Sequence, residues 1–218
     1  MFSEFVSLAV QYPIVFTKNG ETGEFVCAAM LGFESSENLF WQNGQWQGMY
    51  LPLQIQRQPF FIGESSEQSI EKTDENKDYV VCIDIESPMI NEAELIETDS
   101  YNKLYTNEGK ESDYLIQAKS TLGNLLQGEA DNKAFITALK TMGLIQPLSL
   151  EIAFVNEQTT RLNGLYTINQ DKLAALSGDK ITSLHQSGLL QPIYTMIASL
   201  AQIYALIERK NKRIQSHT

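Results

Sequence analysis

The net charge of this 218-residue chain is confined to one stretch of it. Between Glu64 and Asp113 stand 15 acidic and 4 basic residues, and outside that window there are 12 of each. The formal total of −11 therefore belongs to a single segment, and the rest is an electrically balanced body. Inside the window only Tyr79-Val80-Val81-Cys82-Ile83-Asp84-Ile85 reads as a buried strand. Gly63 to Asp78 reads as a polar loop, and Pro88 to Gly109 shows no strong periodicity, which makes a long irregular connection. A chain this acidic is also repelled by phosphate backbones, so no nucleic-acid partner is expected.

The flanks carry enough apolar residues for a core. The chain is 43% hydrophobic and 20% charged, ordinary for a globular protein, and at this length it needs no disulfide or metal staple. Ile14-Val15-Phe16-Thr17 and Phe25-Val26-Cys27-Ala28 flank a turn at Asn19-Gly20, and Asn43-Gly44 makes a second turn between Phe40-Trp41 and Trp46. Pro52 and Pro59 mark Tyr50 to Phe61 as an extended or edge segment. Leu115, Ala118, Leu122 and Leu125 recur at helical steps up to Gly128. Asp131 then opens a second helix with Phe135, Ile136, Leu139 and Met142 on one stripe, closed by Gly143.

Leu148, Leu150, Ile152 and Phe154 alternate with outward positions, turn at Asn156-Glu157-Gln158-Thr159, and return through Leu162, Tyr166 and Ile168. Two short helices follow, over Asp171–Leu176 and Asp179–Ser187. A long helix starts near Pro192, carries an apolar stripe from Ile193 to Ile207, and ends in Arg209, Lys210, Lys212 and Arg213. The expectation is one α+β domain over 1–218. Its parts are a β-rich irregular antiparallel region at 11–87, the acidic irregular segment at 88–111, a helix pair at 112–143, a hairpin at 148–168 and helices over 171–213.

Residue counts exclude several chemistries. There are two histidines, His185 and the penultimate His217, so a three-histidine zinc site is impossible within one chain. A two-histidine, one-carboxylate site would have to recruit the chain end. Glycine-rich phosphate cradles and a Gly-x-Ser-x-Gly elbow are both absent. Asp84 and Glu86, with Asp74, Glu75 and Asp78 before them, are hard oxygen donors, but their spacing matches no EF-hand loop and reads as solvated surface. Neither a metal nor a cofactor is expected. Cys27 and Cys82 read as two reduced thiols in apolar strands, and the N-terminus lacks a positive leader, so the chain is expected to be cytoplasmic.

One segment stands out by composition. From Phe40 to Phe61 both tryptophans, Trp41 and Trp46, are interleaved with side-chain amides and followed by Tyr50 and Arg57. Flat rings beside planar amides suit stacking and paired hydrogen bonds to a sugar or a peptide, while the competing expectation places the rings in the core with glutamines coating them. Trp41, Trp46, Tyr50 and Arg57 are the candidate ligand-binding residues, and Tyr166 and His185 are the polar side chains to follow for an enzyme. The 19 uncharged residues from Leu189 to Ile207 permit a core helix, a homodimer contact through Ile193–Ile207, or a peripheral membrane helix.

Several runs resemble the bacterial SapC family in the family's order: Tyr12-Pro13-Ile14-Val15-Phe16, Leu31-Gly32, Glu37-Asn38-Leu39-Phe40, Trp46, and Tyr50-Leu51-Pro52. Arg57, Pro59 and Phe60 continue it, then Cys82-Ile83-Asp84 with Ser87, Gly143-Leu144 with Pro147-Leu148, Gly164-Leu165-Tyr166-Thr167-Ile168, Leu184-His185 and Pro192-Ile193-Tyr194. The likeness spans about residues 11–205. Members usually carry an additional N-terminal stretch, so a shortened N-terminus is expected. The resemblance implies a bacterial protein associated with surface-layer loci, and with TonB-dependent uptake, halogenase-like and hydroxylase-like proteins as neighbours. It brings no catalytic residues. The expected function is a non-catalytic accessory or binding protein; the alternatives are an enzyme of unknown type or a peripheral membrane protein held by the C-terminal helix.

Overall fold

The structure, a computed structural model, describes residues 1–64, 79–90 and 102–216. After a 3-10 turn at Phe2–Glu4 the chain forms α1 (Phe5–Ala9), β1 (Ile14–Lys18), β2 (Phe25–Ala29), β3 (Trp41–Gln42), β4 (Gln45–Trp46) and α2 (Leu53–Gln56). Then come β5 (Phe60–Glu64), β6 (Tyr79–Ile83), α3 (Asp113–Thr141), β7 (Ile145–Ala153) and β8 (Thr159–Ile168). The last elements are α4 (Gln170–Ala174), α5 (Gly178–Gln186), α6 (Leu190–Ser199) and α7 (Gln202–Ser216). The architecture is α+β with antiparallel sheets. Where the sequence reading takes one domain, the chain divides into two compact units, Met1–Leu51 with Gly128–Thr218, and Pro52–Gln127.

The first unit is built on a four-stranded antiparallel sheet in the order β2-β1-β8-β7. β1 is central, and Ile14, Val15 and Phe16 are all buried, so the strand is covered on both faces as a continuous apolar run requires. Phe16 lies opposite Tyr166 of β8, and its ring meets Phe135 of α3, which also stacks on Phe2. Ile168, Leu139, Ile193, Met196 and Leu206 complete this core. The buried Ser199 hydroxyl accepts the backbone N–H of Ile14 at 2.9 Å, tying the end of α6 to the start of β1.

The turns divide between expectation and correction. Asn43 and Gly44 take φ of 51° and 74°, the positive pair that the β3–β4 hairpin needs. In the β1–β2 turn the positive φ falls on Gly23, and Asn19 instead accepts the N–H groups of Glu21 and Thr22 through its side chain. β7 and β8 pair as the alternation requires, with a register shift between Leu148 and Leu150.

Several expectations are corrected. The pair of helices at 112–143 is one helix of 29 residues. Gly128 does not end it: Met1 packs so closely there that an added Cβ would sit 3.1 Å from the Met1 Cβ. Glycine at this position serves close approach rather than capping, and the boundary between the two units falls at this residue. The long C-terminal helix is two helices, interrupted at Leu200-Ala201. Of its stripe, Ile193, Met196 and Ile203 are buried within the first unit, while Tyr204 is 79% exposed. Leu190–Ser216 is long and apolar enough to cross a membrane by length and composition alone, as core helices also are.

The second unit contains α2, the β5–β6 ribbon and the first half of α3, with Phe60, Leu115, Ala118, Leu122 and Leu125 buried. Tyr50 to Phe61 is not extended throughout, because Leu53–Gln56 coil into a short helix behind Pro52. The burial expected of β6 is also corrected: Tyr79, Val80 and Val81 are exposed at 45%, 44% and 42%. Both cysteines are free, and burial pushes the Cys27 thiol up to about 12, which keeps it protonated and inert.

Candidate functional site

The aromatic–amide segment is half scaffold and half surface. Phe40 is fully buried, and its ring stacks on Trp46 with centroids 5.8 Å apart and an angle of 23°. Tyr12 tilts against Phe40 at 4.6 Å, and the Arg209 guanidinium lies 4.4 Å from the Phe40 centroid. Two donors converge on the carbonyl of Tyr50: the Tyr12 hydroxyl at 2.6 Å and the Trp46 indole N–H at 3.2 Å. The Tyr50 hydroxyl in turn donates to the buried carboxylate of Glu4 at 2.9 Å. Gly48 is required beside them, because a Cβ there would sit 2.5 Å from both the Trp46 Nε1 and the Tyr12 hydroxyl.

Burial raises the Tyr12 pKa, with partial opposition from Trp46, Arg209 and Gln11. Burial, then the hydrogen bond and charge of Glu4, raise that of Tyr50 further. Trp46 and Tyr50 are partly buried and pack against the core of the first unit.

α7 clamps this segment from its basic end. Arg213 donates to the carbonyls of Asn38 at 3.1 Å and Trp41 at 3.0 Å, and Arg209 to that of Gln47 at 3.3 Å. Lys210 bridges Glu34 and Glu37, each at 2.6 Å. Burial by itself would raise the Glu37 pKa. The Lys210 ammonium and the N–H groups of Phe33 and Glu34 outweigh it, and the carboxyl titrates below its ordinary value. The sequence reading assigned this basic tail to the helix dipole; its tertiary role as a clamp had no local signature.

Trp41 is the exception. Its carbonyl is held by Arg213 while its side chain is 53% exposed, among the exposed amides of Gln42, Asn43, Gln45 and Gln47 and beside Met49, which is 83% exposed. Exposing an indole forfeits the burial of a large apolar surface, so a ring fixed in that state is suited to contact.

The other candidates do not join it. Arg57 belongs to the second unit, where its Nε donates to Gln54 Oε1 and its Nη1 to the carbonyl of Phe60, both at 2.8 Å. It lines an open cleft of about 910 Å³ with Asp84, Glu86 and Ser87, a grouping the sequence left scattered. Asp84 lies past the end of β6, where its carboxylate accepts the N–H of Glu86, so it shapes a turn rather than a strand face. Among the described residues no cluster could hold a metal ion, and Asp74, Glu75, Asp78 and His217 lie outside them.

Tyr166 sits edge-on to Phe25 at 4.9 Å, with Lys18 Nζ 5.5 Å from its ring, and His185 is exposed in the last turn of α5. Among the described residues no hydrogen bond links them.

Fold and surface together define an α+β protein of two compact units, one of which exposes an indole on a hairpin whose backbone carbonyl is held by Arg213. The chain belongs to the SapC family, whose model matches residues 1–206. No curated protein and no solved structure matches it.

Proposed function

We propose that this chain is a non-catalytic accessory protein of the SapC family that binds through the Trp41 face. In this reading it acts beside surface-layer, TonB-dependent uptake or halogenase- and hydroxylase-like proteins in a bacterium. One observation carries it: Trp41 is exposed on a hairpin whose backbone is pinned by Arg213 and whose neighbours are buried or stacked. A ring on a held backbone loses less conformational entropy on binding than one on a free loop, and the surrounding amides offer paired donors and acceptors to a sugar ring or a peptide.

The test compares wild type with Trp41→Ala. Native-cell pull-downs read by mass spectrometry recover a surface-layer, receptor or halogenase-like protein with the wild type and lose it with the variant. In parallel, a soluble chito-oligosaccharide and a neutral glutamine-rich peptide are titrated against tryptophan fluorescence. Identical recovery by both baits, with no change of emission on adding either probe, defeats the proposal.

A further inference from the structure

The apolar surface around Trp41 runs on beyond its hairpin. α1 turns Phe5 and Leu8 into the core and leaves Val6 and Val10, one turn apart, each more than half exposed. Gln11 follows Val10, and its side-chain oxygen accepts the backbone N–H of Met49 at 2.8 Å. Beside Met49, a Cβ on Gly48 would sit 3.1 Å from Gln11 Nε2 and 2.5 Å from Trp46 Nε1, so the end of α1 and the hairpin abut there. Trp46 is in turn the cross-strand partner of Trp41. Val6, Val10, Met49 and Trp41 are thus exposed along one connected course within the first unit.

That course is built from uncharged sequence. No Asp, Glu, Lys or Arg stands from Phe5 to Thr17 or from Asn38 to Tyr50. Glu4, just before α1, is buried and accepts the Tyr50 hydroxyl, while Arg209 and Arg213 donate to the carbonyls of Gln47, Asn38 and Trp41. A charged group laid over Val10 and Met49 would lose its hydration against apolar side chains. A sugar ring stacks on the indole and leaves Met49, Val10 and Val6 bare. Backbone pairing is also taken up: the N–H of Met49 is bonded to Gln11, and the carbonyls of Trp41, Gln47 and Tyr50 to Arg213, Arg209 and Tyr12. An extended segment finds little there to pair with, whereas a helix brings its backbone hydrogen bonds with it.

Resting on the reading of Trp41 as a contact residue, we infer that the partner of this face is another protein, which lays the apolar side of an uncharged helix across Trp41, Met49, Val10 and Val6. The indole is the anchor, and the flexible methionine adapts to the shape of the incoming side chains. The exposed amides of Gln42, Asn43 and Gln45 form the polar rim.

The experiment titrates the full chain into two labelled helical peptides: a neutral one of leucine and glutamine with the leucines on one side, and the same peptide with lysine in place of leucine. Only the first is expected to raise fluorescence anisotropy, with affinity changing less than about twofold between ~0.05 and ~0.5 M salt. Hydrogen exchange slows at residues 6–11 and 41–49 on binding. Val10→Ser with Met49→Gln weakens binding about tenfold or more at an unchanged melting temperature, because both side chains are exposed in the free protein. Equal binding of the lysine peptide, or equal binding by the double variant, overturns the inference. So does protection confined to other residues, no anisotropy change at saturating chain, flotation of the chain with phosphatidylcholine vesicles, or self-association through this face. Chito-oligosaccharide binding that needs Trp41, without peptide binding, overturns this inference and leaves the Trp41 contact standing; peptide binding that survives Trp41→Ala overturns both.

Discussion

The two units handle apolar surface in opposite ways. In the first, β1 is flanked by β2 and β8 and covered by helices on both faces, and even the surface loop at 34–47 is pinned by three basic residues of α7. In the second, a two-stranded ribbon exposes three consecutive apolar residues, in a segment that holds the whole net charge of the chain. An isolated ribbon is marginally stable on its own, whereas a four-stranded sheet with helical cover supports itself. Among the described residues, the first unit covers its central strand and the second leaves much of its ribbon exposed.

The contrast can be broken most directly in the cores. Phe135→Ala removes a fully buried ring packed on Phe2, Phe5 and Phe16, and should lower the stability of the first unit by about 3–5 kcal/mol. Leu122→Ala in the second unit should cost about 2–5 kcal/mol. Denaturant titrations followed by residue-resolved hydrogen exchange check both: each variant should speed exchange in its own unit. Equal acceleration in both units would mean that they unfold as one body.

Trp46→Ala, which unstacks Phe40 and frees the Tyr50 carbonyl, should cost about 2 kcal/mol in the same titration. Arg213→Ala removes two donors from the Asn38 and Trp41 carbonyls and should cost about 1–2 kcal/mol, with faster exchange across 38–47.

The clamp also predicts a pH dependence peculiar to the first unit. Glu37 titrates below its ordinary 4.5 when folded, so its contribution is full above that value and is lost as pH falls through the folded pKa. Burial lowers the Lys210 pKa, but Glu34 and Glu37 outweigh it and the net shift is upward. Its contribution is therefore full below 10.5 and is lost as pH rises through the folded value. Melting temperatures of wild type and Lys210→Met should converge on acidification below pH 4.5 and stay apart at neutrality. Trp41→Ala should have the smallest effect of all, within about 0.5 kcal/mol, because its side chain supports nothing.

What the sequence disclosed follows the range of the interactions concerned. Asn43-Gly44, the alternation from Leu148 to Phe154 and the apolar run Ile14–Phe16 act within a few residues, and each predicted its element. Gly128 misled because its reason is Met1, more than a hundred residues away. The run from Tyr79 to Ile85 misled because period and composition do not say whether a partner is present to cover a strand. In the candidate site, composition singled out the segment from Phe40 to Tyr50, but nothing local separated Trp41 from Trp46. That distinction is made by the Phe40 ring, on which Trp46 stacks, and by Tyr12 and Arg209, which reach that ring from two distant parts of the chain.

The pairing of Phe16 with Tyr166 has a consequence for biosynthesis. As the polypeptide leaves the ribosome, β1 is complete long before β8 exists, and the contiguous block Pro52–Gln127 emerges whole in between. The central strand of the sheet must therefore wait, with one side unoccupied, through the synthesis of an entire neighbouring body. Its closure comes only with the last quarter of translation, which makes the nascent N-terminal hairpin the part of this molecule with most need of a chaperone.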